Sequence, residues 1–247
     1  MVLSIRLSSC ILVVQLLLLY TNKMKSVLVN KDLKNLGLNM ILTDNLCLCF
    51  DKQLIYELKK YNSIIFTSKK IKLVRLKIPD LTNLSNLIIG NKRGVILSND
   101  LTEAKTRYMR KVIPDKLSIF QLDEPYNNLY SIFNISNKYI LSGVAIKKHN
   151  ITFISNLLNV KFISPIGSKF ITNKNFILFN NNVGLTIIKD KYFLKRICSL
   201  INIKLFLFSE QKETELLGTS SLINNSLFIS SNKNLYALYS KLTALNL

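Results

Sequence analysis

Short apolar runs alternate with polar turns along most of this chain, and their order predicts a repeated mixture of strands and helices. The clearest copy starts with two apolar runs, residues 87–89 and 95–97, on either side of a turn at residues 90–94. Glycine adopts positive φ without strain and asparagine tolerates it, so the turn sequence GNKRG predicts a β-hairpin.

The helix predicted after this hairpin has clear start and stop signals. Asn99 or Asp100 caps it, Glu103 follows Asp100 at capping-box spacing, and Pro114 ends it. Its apolar face comprises Leu101, Ala104, Tyr108 and Val112. The β-branched and aromatic run at residues 117–120 predicts a third strand. The unit is therefore strand, turn, strand, helix, strand.

The same unit recurs through the rest of the chain. Its first strands are predicted to begin at residues 39, 87, 131, 176 and 218, and the other helices cover residues 52–61, 146–158, 191–201 and 234–244. Each turn contains an asparagine: Asn45, Asn91, Asn137, Asn181 and Asn225. Their spacing of about 45 residues is typical of propellers and other arrays in which each unit packs against its neighbours.

The two ends of this pattern complement each other. The fifth unit lacks its third strand, whereas residues 25–29 form a short strand that belongs to no unit. If this strand completes the last unit, the five units close into a ring without an open sheet edge. We therefore predict an α+β fold, a five-fold pseudo-symmetric β/α propeller, in a single domain at residues 24–247.

Residues 1–23 are predicted to lie outside this fold. They contain an apolar run at residues 10–20, which is shorter than the ~20 residues of a comfortable transmembrane helix. The run resembles the core of a signal peptide, but no small-residue cleavage site follows it. Because Met24 begins the patterned part of the chain, an upstream start or a dispensable extension is favoured over a targeting device.

The chain is strongly basic. Lysine and arginine number 34 against 14 acidic residues, which gives a net charge of +20. This excess favours a polyanionic partner, either RNA or an anionic membrane surface, but a coding bias toward lysine, asparagine, isoleucine and leucine also explains it. The strand residues Lys70, Lys72, Arg75 and Lys77 would either touch RNA phosphates or keep a sheet edge solvated.

Candidate catalytic groups are few and scattered. Cys47 and Cys49 alternate along a predicted strand, which indicates two reduced core thiols on one face rather than zinc ligands. Cys198 lies among apolar residues of the fourth helix and is interpreted as a core thiol. His149, the single histidine, lies at the start of the third helix, where a solvated or capping role is favoured over catalysis.

Acidic and phosphate-binding motifs also give little support for an enzyme. The neighbouring carboxylates Asp123 and Glu124 are interpreted as part of a solvated loop, because acid–base catalysis needs two such groups converging in a pocket. The chain has seven glycines and no GxxxxGK loop. The sequence therefore predicts no catalytic residue, no metal site and no cofactor.

One segment resembles a known family. Residues 90–115, GNKRGVILSNDLTEAKTRYMRKVIPD, are similar to a segment of eukaryotic translation initiation factor 6 and its archaeal relatives, which prevent association of the ribosomal subunits. Weaker similarities are residues 42–45 with Cys47, Asn181 with residues 184–185, and residues 222–225. Together with the five-fold spacing, they extend the resemblance over residues 24–247.

The resemblance implies a pentein-type propeller without catalytic activity. It implies a monomer that binds the large ribosomal subunit, through ribosomal protein and rRNA near the subunit-joining face, and blocks small-subunit joining until a GTPase and its adaptor release it. It also implies a role in large-subunit biogenesis, in the cytoplasm and the nucleolus, and no stable membrane partner.

The resemblance further indicates where the ribosome would bind. In the family, residues that open the first strand of successive units form most of the ribosome-facing end, and the matching positions here are Gly37, Asn86, Tyr130, Ser131, Asn175, Phe176 and Thr219. Gly37 keeps the family residue, whereas Asn86 stands where the family usually has arginine. Family members are acidic, so the net charge of +20 is a departure that indicates extra rRNA contacts or drift of the outer surface.

Two other functions remain open at this point. A pentein-fold enzyme acting on guanidino substrates would share the ring, but it needs a nucleophilic cysteine and a histidine around the central pocket, and Cys198 and His149 are predicted to lie in helices. A basic membrane-surface protein would use residues 1–23 and the excess of positive charge.

Overall fold

Five three-stranded sheets make up the architecture. The computed structural model describes residues 25–29, 35–61, 66–67, 69–78, 83–163, 174–208 and 217–244. The apolar run at residues 10–20 and Cys10 lie outside the described residues, as do the carboxylates at residues 210, 213 and 215.

The first three units share one order of elements, which is a one-turn helix, two strands, a long helix and a third strand. Strand β1 (Lys25–Leu28) precedes them. The first unit contains α1 (Leu36–Asn39), β2 (Met40–Leu42), β3 (Leu46–Cys49), α2 (Lys52–Lys60) and β4 (Lys72–Arg75). The second contains α3 (Leu84–Leu87), β5 (Ile88–Gly90), β6 (Gly94–Leu97), α4 (Glu103–Val112) and β7 (Ser118–Gln121). The third contains α5 (Leu129–Ile132), β8 (Phe133–Ile135), β9 (Tyr139–Ser142), α6 (Lys148–Leu158) and β10 (Lys161–Ile163).

The last two units vary this order at their ends. The fourth opens with a turn at residues 174–176 and continues with β11 (Ile177–Phe179), β12 (Val183–Thr186), α7 (Lys191–Ile201) and β13 (Lys204–Leu207). The fifth contains α8 (Leu217–Ser220), β14 (Ser221–Ile223), β15 (Leu227–Ser230) and α9 (Lys233–Ala244). Its third strand comes from the other end of the chain.

The predicted closure of the ring is confirmed. Strand β1 pairs in parallel with β15, from Lys25 opposite Leu227 to Leu28 opposite Ser230. In each of the other sheets the middle strand also pairs antiparallel with the first strand and parallel with the third. A parallel pair needs a crossover connection, which the long helices supply within the first four units.

The hydrophobic core is divided into wedges between neighbouring units. Strand alternation sends Cys47 and Cys49 into the wedge shared with the fifth unit, and Leu46 and Leu48 into the wedge shared with the second. Both thiols are fully buried, as predicted. Burial raises the pKa of Cys49 to about 12 and also raises the pKa of Cys47, so both stay protonated at neutral pH.

The hairpin turns are hydrogen-bonded to each other at one end of the ring, which we call the turn end. In four junctions, the backbone N–H of one turn donates to a side-chain Oδ1 of the next: Lys92 to Asn137 at 3.0 Å, Asn137 to Asn181 at 3.1 Å, Asn181 to Asn225 at 3.0 Å, and Asn225 to Asp44 at 2.9 Å. Lys92 offers no side-chain acceptor, so Asn45 Nδ2 instead donates to the Lys92 carbonyl oxygen at 2.7 Å.

The structure corrects the alignment of these turns. The equivalent positions are Asp44, Lys92, Asn137, Asn181 and Asn225, so Asn45 and Asn91 each lie one residue away from the position assigned to them. Asparagine suits more than one position of a turn, and residue type alone therefore did not fix the register.

Some predicted element boundaries are wrong as well. Thr102, not Asn99 or Asp100, caps α4, because its Oγ1 accepts from the backbone N–H of Lys105 at 3.4 Å. Asp51 and Asp190, directly before the predicted helices at residues 52–61 and 191–201, cap α2 and α7. The first strands of the units start later than predicted, at residues 40, 88, 133, 177 and 221, because helical turns precede most of them. In the part of the chain that the structure describes, none of the helices combines the length and the apolar character that crossing a membrane requires.

Candidate functional site

A ring of helical turns lies at the end opposite the hairpin turns, and we call it the helical-turn end. It consists of α1, α3, α5, α8 and the turn at residues 174–176, each directly before the first strand of a unit. The one-turn helices begin with Leu36, Leu84, Leu129 and Leu217, all of which are buried. These leucines anchor the turns in the core, so the residues after them are held rigidly.

The second position of each turn packs tightly against the neighbouring turns. Its five residues are Gly37, Ser85, Tyr130, Lys174 and Gly218. A Cβ atom on Gly37 would overlap the carbonyl oxygen of Gly218, so the two backbones touch at this point. Ser85 Oγ donates to the carbonyl oxygen of Gly37, and Tyr130 Oη donates to Asn175 Oδ1 at 2.6 Å. These contacts tie the turns to one another.

The third position of each turn is half-buried and faces outward from this packing. Its residues are Leu38, Asn86, Ser131, Asn175 and Thr219. Four of the five are polar and uncharged, which suits a surface that hydrogen-bonds to a partner. Leu38 was not predicted as a site residue, because the neighbouring Gly37 was assigned to the site instead. The equivalence of the five turns places Leu38 at the third position.

All seven residues assigned to the ribosome-facing end lie on these turns, but they have two different roles. Gly37 and Tyr130 are buried, so they shape the surface from below. Asn86, Ser131, Asn175, Phe176 and Thr219 are half-buried and have atoms at the surface. The sequence places these residues at the opening of strands, whereas the structure places them in the helical turns before the strands. Their contact with a partner stays a prediction.

Lys174 is a residue of this end that the sequence analysis did not select. Its Nζ atom lies 5.5 Å from the centre of the Tyr130 ring, and its side chain lines an axial cavity of about 30 Å³. Burial lowers the pKa of Lys174 to about 8 and raises the pKa of Tyr130. The helical-turn end therefore holds a poorly solvated positive charge beside its axis.

Charged residues of both signs surround the helical-turn end, because each long helix begins there. Asp51 and Asp190 accept hydrogen bonds from the first turns of α2 and α7, where a negative charge also complements the helix dipole. Asp100 and Glu103 lie near the start of α4, and both are exposed. Exposed lysines lie at the same helix starts, namely Lys52, Lys147, Lys148, Lys191 and Lys233. This end of the ring therefore carries both signs of charge.

Glu124 corrects the interpretation of the neighbouring carboxylates as a solvated loop. Its side chain is buried, and Oε1 accepts from the Lys147 backbone N–H at 3.0 Å and from Asn150 Nδ2 at 2.6 Å. It thus caps α6, whose own N-cap residue Lys147 makes no side-chain cap. Asp123 does remain exposed, and hydrogen bonds from Asn150 and His149 lower its pKa.

Substitution of Glu124 by alanine is expected to lower the free energy of unfolding by about 1–3 kcal/mol, because it leaves the Lys147 N–H without its acceptor and removes the buried acceptor of the Asn150 amide, which keeps the exposed Asp123. Urea denaturation at neutral pH measures this loss. Asp123→Ala is the matched control, since its carboxylate is exposed, and it should cost less than half as much. Equal losses for the two variants would contradict the capping role of Glu124.

The candidate catalytic groups do not converge. His149 is exposed on α6 and lies 3.0 Å from Asp123 Oδ2, and Cys198 is half-buried on α7 rather than in the core. A second axial cavity, of about 20 Å³, lies among the hairpin turns. Cavities of this size hold about one water molecule each. Among the described residues, no group of three or more His, Cys, Asp or Glu side chains is arranged to hold a metal ion.

Comparison with known proteins identifies the family. The model of the eIF-6 family matches residues 26–234. Eukaryotic translation initiation factor 6 of Guillardia theta is 22% identical over 62% of this chain and 66% of its own length. The Drosophila melanogaster protein of the same name is 21% identical over 58% of each chain. The chain therefore spans less than two thirds of the length of the curated relatives that it matches.

Comparison with solved structures finds similarities at low sequence identity. An arginine dihydrolase from the ornithine-ammonia cycle in cyanobacteria has a TM-score of 0.50 and 14% identity, and the match covers 80% of this chain and 35% of that protein. DDAH from Pseudomonas aeruginosa, solved with citrulline, has a TM-score of 0.46 and 10% identity over 90% of this chain and 89% of that protein. The five-fold ring is a pentein fold. With its family match over residues 26–234, the chain belongs to the eIF-6 family of translation initiation factors.

Proposed function

We propose that this chain binds the large ribosomal subunit through its helical-turn end and sterically prevents premature joining of the small subunit. The observation that carries the proposal is the internal repeat of that end within a chain of the eIF-6 family. Five equivalent turns, braced by buried leucines and by the Gly37–Gly218 contact, present half-buried polar residues on one surface.

The helical-turn end carries charges of both signs, with Asp51, Asp100 and Glu103 near Lys52 and Lys148 at the helix starts. Complementary charges across an interface speed association and fix orientation. In the proposed complex, this end contacts ribosomal protein and rRNA together.

The proposed mechanism is steric and needs no chemical step. A closed ring in which each unit packs against its neighbours is a rigid body, so occupancy of the joining face depends on affinity, and removal depends on other proteins. We propose a GTPase and its adaptor for that removal, and a further role in large-subunit biogenesis in the nucleolus and cytoplasm. Each axial cavity has room for about one water molecule. This size favours a steric factor over an enzyme that binds a guanidino substrate in its central pocket.

Sedimentation of the full chain with separated eukaryotic ribosomal subunits tests the binding step. The chain is expected to co-migrate with large subunits and to stay at the top of the gradient with small subunits. The double variant Ser131→Arg, Thr219→Arg places two long cations at the third positions of two helical turns, on the proposed docking surface. We expect its affinity for large subunits to fall about tenfold or more, because groups at the centre of an interface carry most of its energy.

The matched control carries the same two charges elsewhere. Thr152→Arg, Ser199→Arg alters exposed polar residues of α6 and α7, on the outside of the ring, and is expected to bind like the native chain. Thermal unfolding of both variants separates lost binding from lost folding. Equal loss of binding in the two variants would refute docking through the helical-turn end, and equal binding of the native chain to both subunits would refute the proposed selectivity.

A further inference from the structure

The turn end carries an ordered ring of positive charge. The third strand of each unit starts beside the hairpin turn of the same sheet, and its first residue is lysine in four units: Lys25, Lys72, Lys161 and Lys204. Each of these residues donates its backbone N–H to the carbonyl oxygen of the last turn residue, at 3.0, 2.9, 2.8 and 3.3 Å respectively. The fold therefore fixes the position at which each lysine leaves the sheet.

The turns add cations to the same surface. Lys92, Arg93 and Lys138 lie in the second and third turns, and all three are exposed. In the second unit the strand begins with Ser118, whose N–H donates to the Arg93 carbonyl oxygen at 3.0 Å, and the exposed Lys116 lies just before it. The second and third units thus have cations within their turns, in addition to the four strand lysines.

Acidic residues are sparse at this end. Among the described turns and the segments that lead into the third strands, the carboxylates are Asp44 and Asp115. Asp44 is engaged within the turns, where it accepts hydrogen bonds from Asn225 and Asn137. Among the described residues, the turn end is therefore strongly basic, whereas the helical-turn end carries charges of both signs.

We propose that the turn end binds the phosphate backbone of RNA. Lysines at fixed spacing around a ring neutralise several phosphates at once and release their counterions, which gives affinity without reading a base sequence. The asparagines and serines of the turns supply amide and hydroxyl groups of the kind that contact phosphate and sugar oxygens. The eight cations of the turn end are thus placed where they can act together on one polyanion.

The chemistry of the turns favours RNA over an anionic membrane. A protein that lies on a bilayer inserts large apolar or aromatic side chains below the headgroups. The fifteen residues of the five hairpin turns are threonine, aspartate, asparagine, lysine, arginine and serine, and none of them is apolar. Such a surface attracts phosphate groups, but its turns have no apolar side chain to insert into lipid.

This surface is separate from the proposed docking surface, because the hairpin turns and the helical turns lie at opposite ends of the first strands. One molecule can therefore hold RNA at the turn end while the helical-turn end is occupied. RNA binding is measured without ribosomes, so its failure leaves the proposed function untouched, and failure of ribosome binding leaves this proposal untouched.

Fluorescence anisotropy with a labelled 20-nucleotide RNA and a labelled 20-base-pair RNA tests the proposal on the full chain. The ring variant carries Lys72→Gln, Lys92→Gln, Lys161→Gln and Lys204→Gln. The matched control removes four exposed lysines from the outer helices, away from the turn end: Lys52→Gln, Lys148→Gln, Lys191→Gln and Lys195→Gln. Both variants therefore lose the same charge.

The native chain should bind both RNAs with strong salt dependence. At 100 mM salt the ring variant should bind at least about tenfold more weakly, with a clearly shallower salt slope, whereas the control should stay within about threefold of the native chain. Equal weakening of the two variants would assign binding to overall charge and overturn the proposal. Phosphatidylserine vesicles are tested in parallel, and binding to vesicles but not to RNA would overturn it in favour of a membrane surface.

Discussion

Gly37→Ala is expected to lower the free energy of unfolding by about 3 kcal/mol or more, which is a large part of the stability of a typical domain. The added methyl group would overlap the carbonyl oxygen of Gly218. That atom belongs to the backbone of α8, so it cannot rotate away as a flexible side chain does. The first and fifth units would have to separate at the helical-turn end, close to where the ring is joined. Urea denaturation followed by circular dichroism measures the loss.

Gly184→Ala is a graded control for this prediction. Its Cβ would lie 2.8 Å from the Leu178 carbonyl oxygen and 2.6 Å from the Leu205 side chain, which can move. The loss should therefore be smaller than at Gly37. A Gly37→Ala variant as stable as the native chain would show that the contact between the two turns is loose, and the helical-turn end would then not be a rigid surface.

A charge in the closing strand should have an effect of similar size. Val27 is 2% exposed and packs in the wedge between the first and fifth units, together with Leu227 and Ile229. Val27→Asp buries a carboxylate without a designed partner and is expected to cost about 3–5 kcal/mol. Detachment of β1 would also expose the edge of β15, so the variant is expected to self-associate. Urea denaturation and light scattering on a sizing column measure the two effects.

The neighbouring residue provides the control. Ser26→Asp carries the same charge on the same strand, but Ser26 is half-buried and its Oγ lies 3.0 Å from Ser240 Oγ on α9. Ser26→Asp should lower the free energy of unfolding by about 1 kcal/mol, and the variant should remain monomeric. If Val27→Asp were as stable and as monomeric as Ser26→Asp, closure by β1 would not be required for the fold.

The architecture was predictable because each unit repeats a local signal. Apolar runs, turn residues and amphipathic helices recur at a constant spacing, and the unpaired strand near Lys25 completes a fifth unit that otherwise lacks a strand. Because this order of elements occurs five times, an ambiguous copy can be interpreted from the clearer ones. The one-turn helices were missed because α1 and its equivalents span four residues each, which is too short to show a helical period.

The candidate site was predictable in position but not in detail. The seven residues assigned from the resemblance all lie on the helical turns, yet the pattern could not show that Gly37 and Tyr130 are buried while Ser131 and Thr219 reach the surface. Glu124 was misread because a pair of acidic residues in sequence usually indicates a solvated loop. Its partners Lys147 and Asn150 are more than twenty residues away, so only the fold brings them together.

The sequence left the meaning of the charge open. A net value of +20 does not distinguish drift from a binding surface, because it carries no positions. The strand registers supply these positions and place lysines at equivalent points of four sheets. At the other end the helix starts carry carboxylates and lysines together, so the turn end is the more uniformly basic of the two.

We propose that the ring keeps ribosomal subunits apart. A subunit-joining assay monitored by light scattering tests this most directly. Large subunits are incubated with the full chain before small subunits and magnesium are added. We predict that joining falls in proportion to the fraction of large subunits occupied, and that the Ser131→Arg, Thr219→Arg variant blocks joining about tenfold less effectively than the native chain. Normal joining on large subunits that are saturated with the chain would contradict the account.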